Sequence, residues 1–178
     1  VLTAALAQTH DTELTTGITF NLALAHRKQG RLDKALESLT QIQRLDPGRT
    51  DIDANRLQIL EEAARFDEAA ESMETMLARD PKNASLHSQY NHLLYQLGRE
   101  EEFLKSYDRA PKTLELQFGK ALFLVAAERG EEAYAVYSDI LTREPDDHNA
   151  LIGQATALNL MGRHDEAVQI LDRASARY

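Results

Sequence analysis

The sequence has no cysteine, no tryptophan, only 4 prolines and 8 glycines, and 6% aromatic residues in 178 positions. Without cysteine there can be no disulfide, zinc–thiolate site, iron–sulfur cluster or thiol nucleophile, and the redox compartment stays open. Long apolar runs are missing too. The longest, residues 121–127, has seven residues, against about 20 for a spanning helix, so no membrane insertion is expected. Cationic side chains are in the minority, 20 Lys and Arg against 29 Asp and Glu for a net charge of −9. Phosphate binding needs clustered cations, so neither nucleic acid nor an anionic membrane surface is an expected partner. Residues 1–14 lack a basic stretch followed by an apolar one, so no signal peptide is expected and the cytoplasm is favoured over secretion. The chain opens on Val1, and we read it as cut from something longer.

What is present is a period. Pro47 and Pro81 are 34 residues apart, as are Pro111 and Pro145. Aligned on the prolines, GRLDKALESL (30–39), ARFDEAAESM (64–73), GREEEFLKSY (98–107) and GRHDEAVQIL (162–171) superpose, and Gly130-Glu131-Glu132-Ala133 reads as a shortened copy. Ala35, Ala69, Ala133 and Ala167 recur at one place, where a small side chain lets two helices cross closely. Upstream of each turn lies a proline-free helical run such as residues 16–29 or 84–97. Each unit is therefore two helices joined by a tight turn. Gly30, Gly98 and Gly162 follow the first helix, where a left-handed residue ends it at no steric cost. The prolines stop the second helix. Asp46-Pro47-Gly48, Asp80-Pro81-Lys82-Asn83 and Glu144-Pro145-Asp146-Asp147 supply caps for the next one.

On this period and its Gly, Ala and Pro punctuation the chain resembles the tetratricopeptide repeat family over nearly its whole length. The resemblance implies an all-α fold, a right-handed superhelical solenoid of antiparallel helix pairs. A single array over 1–178 would hold repeats at 16–49, 50–83, 84–113, 114–147 and 148–178, with residues 1–15 as the second helix of a preceding repeat. Thr19, Asp53, His87, Gln117 and Leu151 stand where the family has an early aromatic, and Arg56, Lys120 and Gln154 stand at a large-residue site. In the third repeat Phe103 replaces the crossing alanine and Pro111 comes 30 residues after Pro81. One turn of the second helix is missing there, with Phe103 and Tyr107 expected to fill the space.

The six histidines build no expected metal or catalytic site. His87 and His92 point roughly 140° apart on one helix and cannot share an ion. Asp146-Asp147-His148 reads as a capping turn, while Glu61-Glu62 and Glu100-Glu101-Glu102 read as solvated faces rather than catalytic carboxylates. There is no phosphate-cradling loop, serine elbow or nucleotide fingerprint. No cofactor and no metal are expected, and the chain alone is not expected to be an enzyme.

In the family, one stripe of each first helix lines a groove that carries the ligand contacts. By that register the groove holds Phe20, Leu24, Arg27 and Lys28, then Asp51, Ala54, Gln58 and Glu61, then Ser85, Ser88, His92 and Tyr95. Phe118, Leu122 and Val125 follow, then Asn149, Ile152, Thr156 and Asn159; Leu24, Leu122 and Val125 are equally readable as core. The cationic clamp that some repeats use for a chaperone's carboxylate terminus keeps one position of five here, Asn55, so that ligand is disfavoured. Asn21, Asn55 and Gln89, spaced by 34 and 34, resemble the start of the asparagine ladder with which the O-linked N-acetylglucosamine transferase superhelix grips a peptide backbone. The ladder ends at Gly119 and Gly153. The expected function is a noncatalytic scaffold or adaptor binding a protein or peptide segment in the groove, with weak self-association through the open ends. The alternative is the substrate-recruiting arm of a larger enzyme, such as a glycosyltransferase.

Overall fold

A computed structural model describes the backbone of residues 2–175 and the side chains of residues 11–175. The described residues form ten α-helices and no strand: α1 (Leu2–Lys28), α2 (Leu32–Leu45), α3 (Asp53–Glu62), α4 (Phe66–Arg79), α5 (Ala84–Gln96), α6 (Glu100–Arg109), α7 (Leu114–Ala126), α8 (Gly130–Arg143), α9 (His148–Leu160) and α10 (His164–Ser175).

The helix hairpins have one turn design. After each first helix a single residue enters the left-handed region, Gly30, Gly98 and Gly162 at φ 67 to 72°, and Ala64 and Glu128 at φ 52° and 57°. The following arginine then returns its amide to a carbonyl five residues back: Arg31 to His26, Arg65 to Leu60, Arg99 to Leu94, Arg129 to Leu124, Arg163 to Leu158. This closes otherwise orphaned carbonyls in a Schellman turn. The fourth turn is thus of full length, with Glu128 in the glycine's place. Gly130 is the first residue of α8 rather than part of a shortened turn, and it lets α9 approach, since a Cβ there would lie 3.0 Å from the Ala157 carbonyl oxygen.

Two of the expected caps form, at Asn83 and Asp147, and Thr113 supplies one that the sequence reading does not name. Asn83, Thr113 and Asp147 accept from the amides of Leu86, Leu116 and Ala150 at 3.0, 3.3 and 2.8 Å. The loop after Pro47 does not act this way: α3 begins only at Asp53, preceded by Ile52 with no side-chain cap. At the other end of the chain, α1 runs through residue 15 without interruption, so the expected separate helix over 1–15 is corrected to the first half of one long helix. The physical reason is local. No proline interrupts it, and Gly17 alone costs only about 1 kcal/mol relative to Ala.

Packing divides the chain into two compact units, Val1–Arg79 and Asp80–Tyr178. In the first, α1 packs on α2, α2 on α3 and α3 on α4, around Ala35, Leu39, Ile42, Ile52, Ile59 and Ala69, all fully buried. In the second, each helix from α5 to α9 packs on its successor, and the first helices also meet, α5 with α7 and α7 with α9. The crossing alanines Ala35, Ala69, Ala133 and Ala167 are all buried, removing them from water while permitting close helix approach. Helix α6 has 10 residues where α2, α4 and α8 have 14, the missing turn read from the prolines. Phe103, 4% exposed, fills the space, its ring 5.0 Å from Tyr107, 4.2 Å from Phe123 and 6.3 Å from Tyr95.

Candidate functional site

In the first unit, Arg27 of α1 is tied to α3 and most of the other groove residues are exposed. Arg27 binds Glu62 through Nε at 3.0 and 3.1 Å and Gln58 through Nη1 at 2.7 Å. The Glu62 hydrogen bond raises the guanidinium's pKa and lowers that of the carboxylate. Arg27 is therefore a neutralised, positioned group rather than a free anion receptor. Asp51, which sits in the loop before α3, pairs with Arg49 at 2.8 Å and is held below the usual carboxylate range by it. The Arg49 guanidinium also covers the Phe20 ring, 5.6 Å from its centroid, so Phe20 is half-buried beneath an ion pair. Leu24 is half-buried, and Ala54, Gln58, Glu61 and Lys28 are exposed. Asn21 is exposed, its Nδ2 donating to the Gly17 carbonyl at 3.1 Å; Asn55 is half-buried.

Polar residues at the family's large-residue sites find polar partners on the neighbouring second helix. Arg56 reaches Gln43 at 3.2 Å, Lys120 reaches Asp108 at 3.4 Å and Gln154 reaches Ser138 at 2.9 Å. Buried Asp53 is paired with Arg79 at 2.8 Å. A buried polar group is tolerated when bonded in this way.

The second unit gathers its groove residues more tightly. Ser88, His92 and Tyr95 from α5 meet Leu122 and Gly119 from α7 around a pocket of about 320 Å³, closed below by Asn91, Phe103, Tyr107 and Phe123. That is the small end of the roughly 300–1,000 Å³ usual for ligand pockets. Leu122 is 62% exposed and Tyr95 56%, whereas Phe118 and Val125 pack against the core around Leu124, Tyr137 and Ile140. Phe118 and Val125 are thus partly core, and Leu122 is not. Gln89 is exposed, its Nε2 3.3 Å from the Ser85 hydroxyl. His92 is exposed and meets Gln96 at 3.1 Å, while His87 is buried against the Pro81 carbonyl at 3.0 Å. On α9, Ile152, Asn149, Thr156 and Asn159 are exposed.

Of the floor of this pocket, the sequence points to Phe103 and Tyr107 as space-filling residues but not to Asn91 or Phe123. Asn91 is 2% exposed; its Oδ1 accepts from the Ser106 hydroxyl, and its Nδ2 is buried with no hydrogen-bond partner. Burial raises the Tyr107 hydroxyl's pKa, and the nearby Asn91 amide opposes that more weakly. The available signal was a glycine in a helix interior at one register twice, Gly119 and Gly153. Among the described residues no group of three or more histidines and carboxylates is placed to hold a metal ion, and no helix is long and apolar enough to cross a membrane.

Three tetratricopeptide repeat models match residues 18–49, 55–117 and 124–178. No protein of curated function matches the sequence. Among solved structures, a crystal structure of MamA protein is similar at TM-score 0.60 and 17% identity over 90% of each chain. MamA AMB-1 is similar at 0.59 and 20% over 92% of each. A tetratricopeptide repeat protein from Parabacteroides merdae is similar at 0.51 and 21%, over 98% of this chain and 70% of that one. With matches in all the helix hairpins and the hairpin design described above, the chain belongs to the tetratricopeptide repeat family.

Proposed function

We propose that this chain is a noncatalytic interaction scaffold that binds a peptide or protein segment along the exposed stripe of its first helices. The family supports the scaffold role. The observation that carries the groove reading is the pocket between α5 and α7, where Ser88, His92, Tyr95 and Leu122, assigned to the groove by register alone, line one concavity. The amides add a backbone-directed component. Asn21 and Asn55 in the first unit and Gln89 in the second share one register, and none of the three is buried. An amide both donates and accepts, so it matches a peptide unit whatever side chain that unit carries. Selectivity then falls to the apolar residues Leu122 and Ile152 and to exposed charges such as Lys28 and Glu61.

The test begins with a pulldown on the array and peptide mapping of what is retained, followed by titration of the mapped peptide. Each neutral hydrogen bond contributes about 0.5–1.5 kcal/mol net. Replacing Asn21, Asn55 and Gln89 together by Ala should therefore weaken binding by roughly ten- to a thousandfold with the helical circular dichroism unchanged. Unchanged affinity in a folded triple variant would remove the amides from the site.

A further inference from the structure

The register of Asn21, Asn55 and Gln89 reaches Gly119 and Gly153 in the next two repeats, where no side chain can continue the ladder. The vacated space is filled from behind. A Cβ at residue 119 would lie 2.8 Å from the Tyr107 hydroxyl oxygen, and one at residue 153 would lie 2.2 Å from Cζ of Tyr137. The two tyrosines sit at one register themselves, four residues after the crossing positions 103 and 133 of α6 and α8. In each case the phenol end occupies the room of the absent ladder side chain. The two differ in access. Tyr137 is 2% exposed, whereas Tyr107 is half-buried and lines the pocket between α5 and α7.

We infer that Gly119 is an aperture through which Tyr107 supplies the hydroxyl rung of the fourth repeat, donating to a backbone carbonyl of an extended peptide whose apolar side chain lies between Tyr95, Leu122 and Phe123. The chemistry of the pocket selects that occupant. Its polar floor offers a donor, the Tyr107 hydroxyl, which burial keeps protonated, beside the buried Asn91 amide. Such a floor calls for an acceptor. No Asp, Glu, Lys or Arg lines the pocket and the His92 imidazole at its rim is engaged with Gln96, so little there would balance a charged side chain on desolvation. The tilted Phe103–Phe123 pair and the edge-on Tyr95–Phe123 pair, centroids 4.2 and 5.9 Å apart, hold the apolar wall in shape. This assignment rests on the groove-binding reading above and places its selectivity in the second unit.

The test is an NMR titration of the ¹⁵N-labelled chain with an acetylated, amidated hexapeptide library. Five positions are randomised, and the third position is sorted into Leu/Phe, Lys and Glu pools. The Leu/Phe pool is expected to shift the Gly119 backbone amide and the Asn91 side-chain amide, and the Lys and Glu pools to do so at least about tenfold more weakly. Tyr107→Phe keeps the ring and removes the donor, so it should weaken the Leu/Phe pool by about two- to tenfold, the worth of one neutral hydrogen bond. Tyr137→Phe should leave binding unchanged. If Tyr107→Phe binds as wild type while the triple amide variant does not, the hydroxyl rung is overturned and the amide ladder stands. Equal binding of the charged pools overturns the apolar pocket. If no pool shifts any first-helix resonance, both the rung and groove binding fall.

Discussion

Tyr137 decides what residue 153 can be. The tyrosine is buried in the second unit's core, so the 2.2 Å approach of its Cζ to a Cβ at 153 can be relieved only by moving a packed ring. At 119 the close atom is a terminal hydroxyl oxygen, at 2.8 Å, on a half-buried side chain. Alanine gains up to about 1 kcal/mol over glycine inside a helix, while overpacking a core costs about 1–3 kcal/mol. Gly153→Ala should therefore lower stability by roughly 1–2 kcal/mol and Gly119→Ala by much less, as read from urea midpoints of the two variants. Equal losses would mean that the ring and the hydroxyl are equally confined. At the turns the constraint is reversed. Glu128 holds φ 57° where three other repeats have glycine, a conformation that costs a residue with a Cβ about 1–2 kcal/mol. Part of that is offset by the greater freedom of glycine in the unfolded chain. Glu128→Gly should raise stability by about 0.5–1 kcal/mol, measured the same way, and a loss would show that the Glu128 side chain does more than occupy the turn.

At the scale of elements, the hairpins share an ion-pair clasp. The turn arginine binds the glutamate three residues on, Arg65 to Glu68, Arg99 to Glu102, Arg129 to Glu132 and Arg163 to Glu166. Lys34 stands at the glutamate's place in the first hairpin. Hydrogen bonding to arginine lowers the pKa of Glu68, Glu102 and Glu166. A carboxyl whose folded pKa lies below its unfolded value of about 4.3 stabilises the fold above that value, and the contribution is lost as pH falls through the lowered one. The pairs are exposed, so each is worth little and is screened by salt. The melting temperature at low salt should thus begin to fall below about pH 4.5. A variant with Arg65, Arg99 and Arg163 changed to Met should show a shallower fall. Identical profiles would leave the clasps without energetic weight.

Much of this element pattern is legible in the sequence, because Gly, Ala and Pro report backbone needs that admit few substitutes. The prolines fixed the short α6, and the alanines fixed the crossings. The failures have physical causes too. The fourth turn was misread because Glu128 adopts a glycine conformation, so its residue type concealed its geometry. A break in α1 was expected from the repeat period, but nothing local stops that helix. Tyr107 is legible as a space-filling residue, but its meeting with Asn91 and Gly119 is not, because the three come from three helices with no joint spacing signal and Gly119 reads as an end of the ladder rather than a space made for Tyr107.

Across the described residues, the internal register identifies apolar helix faces that no described helix covers. Ile18 on α1 corresponds to Ile52, Leu116 and Ala150, and all three of these are buried. Leu22 corresponds to Arg56, Lys120 and Gln154, each bonded to the second helix before it. On α10, Val168 and Leu171 correspond to Leu36 and Leu39 of α2, which are 6% and 0% exposed. Yet Ile18 and Leu22 are 55% and 50% exposed, and Val168 and Leu171 are 55% and 39% exposed. The two faces are of the kinds that pack together inside each unit, a second helix on a first. The 178-residue chain should therefore self-associate head to tail, α10 of one copy on α1 of the next. Contacts of this kind are heterologous, so they build rings or open filaments rather than isologous dimers. The association should be weak for a specific reason. Thr40, Asp108 and Ser138 each meet a polar residue at the internal junctions, whereas the equivalent Asp172 would be laid over Leu22 and lose its hydration without a partner. Sedimentation velocity at rising concentration should show a growing weight-average coefficient. The pair of changes Ile18→Lys and Leu171→Lys should abolish the growth, and Asp172→Thr should strengthen it. A wild type that stays strictly monomeric at high concentration would show that these faces do not recognise each other.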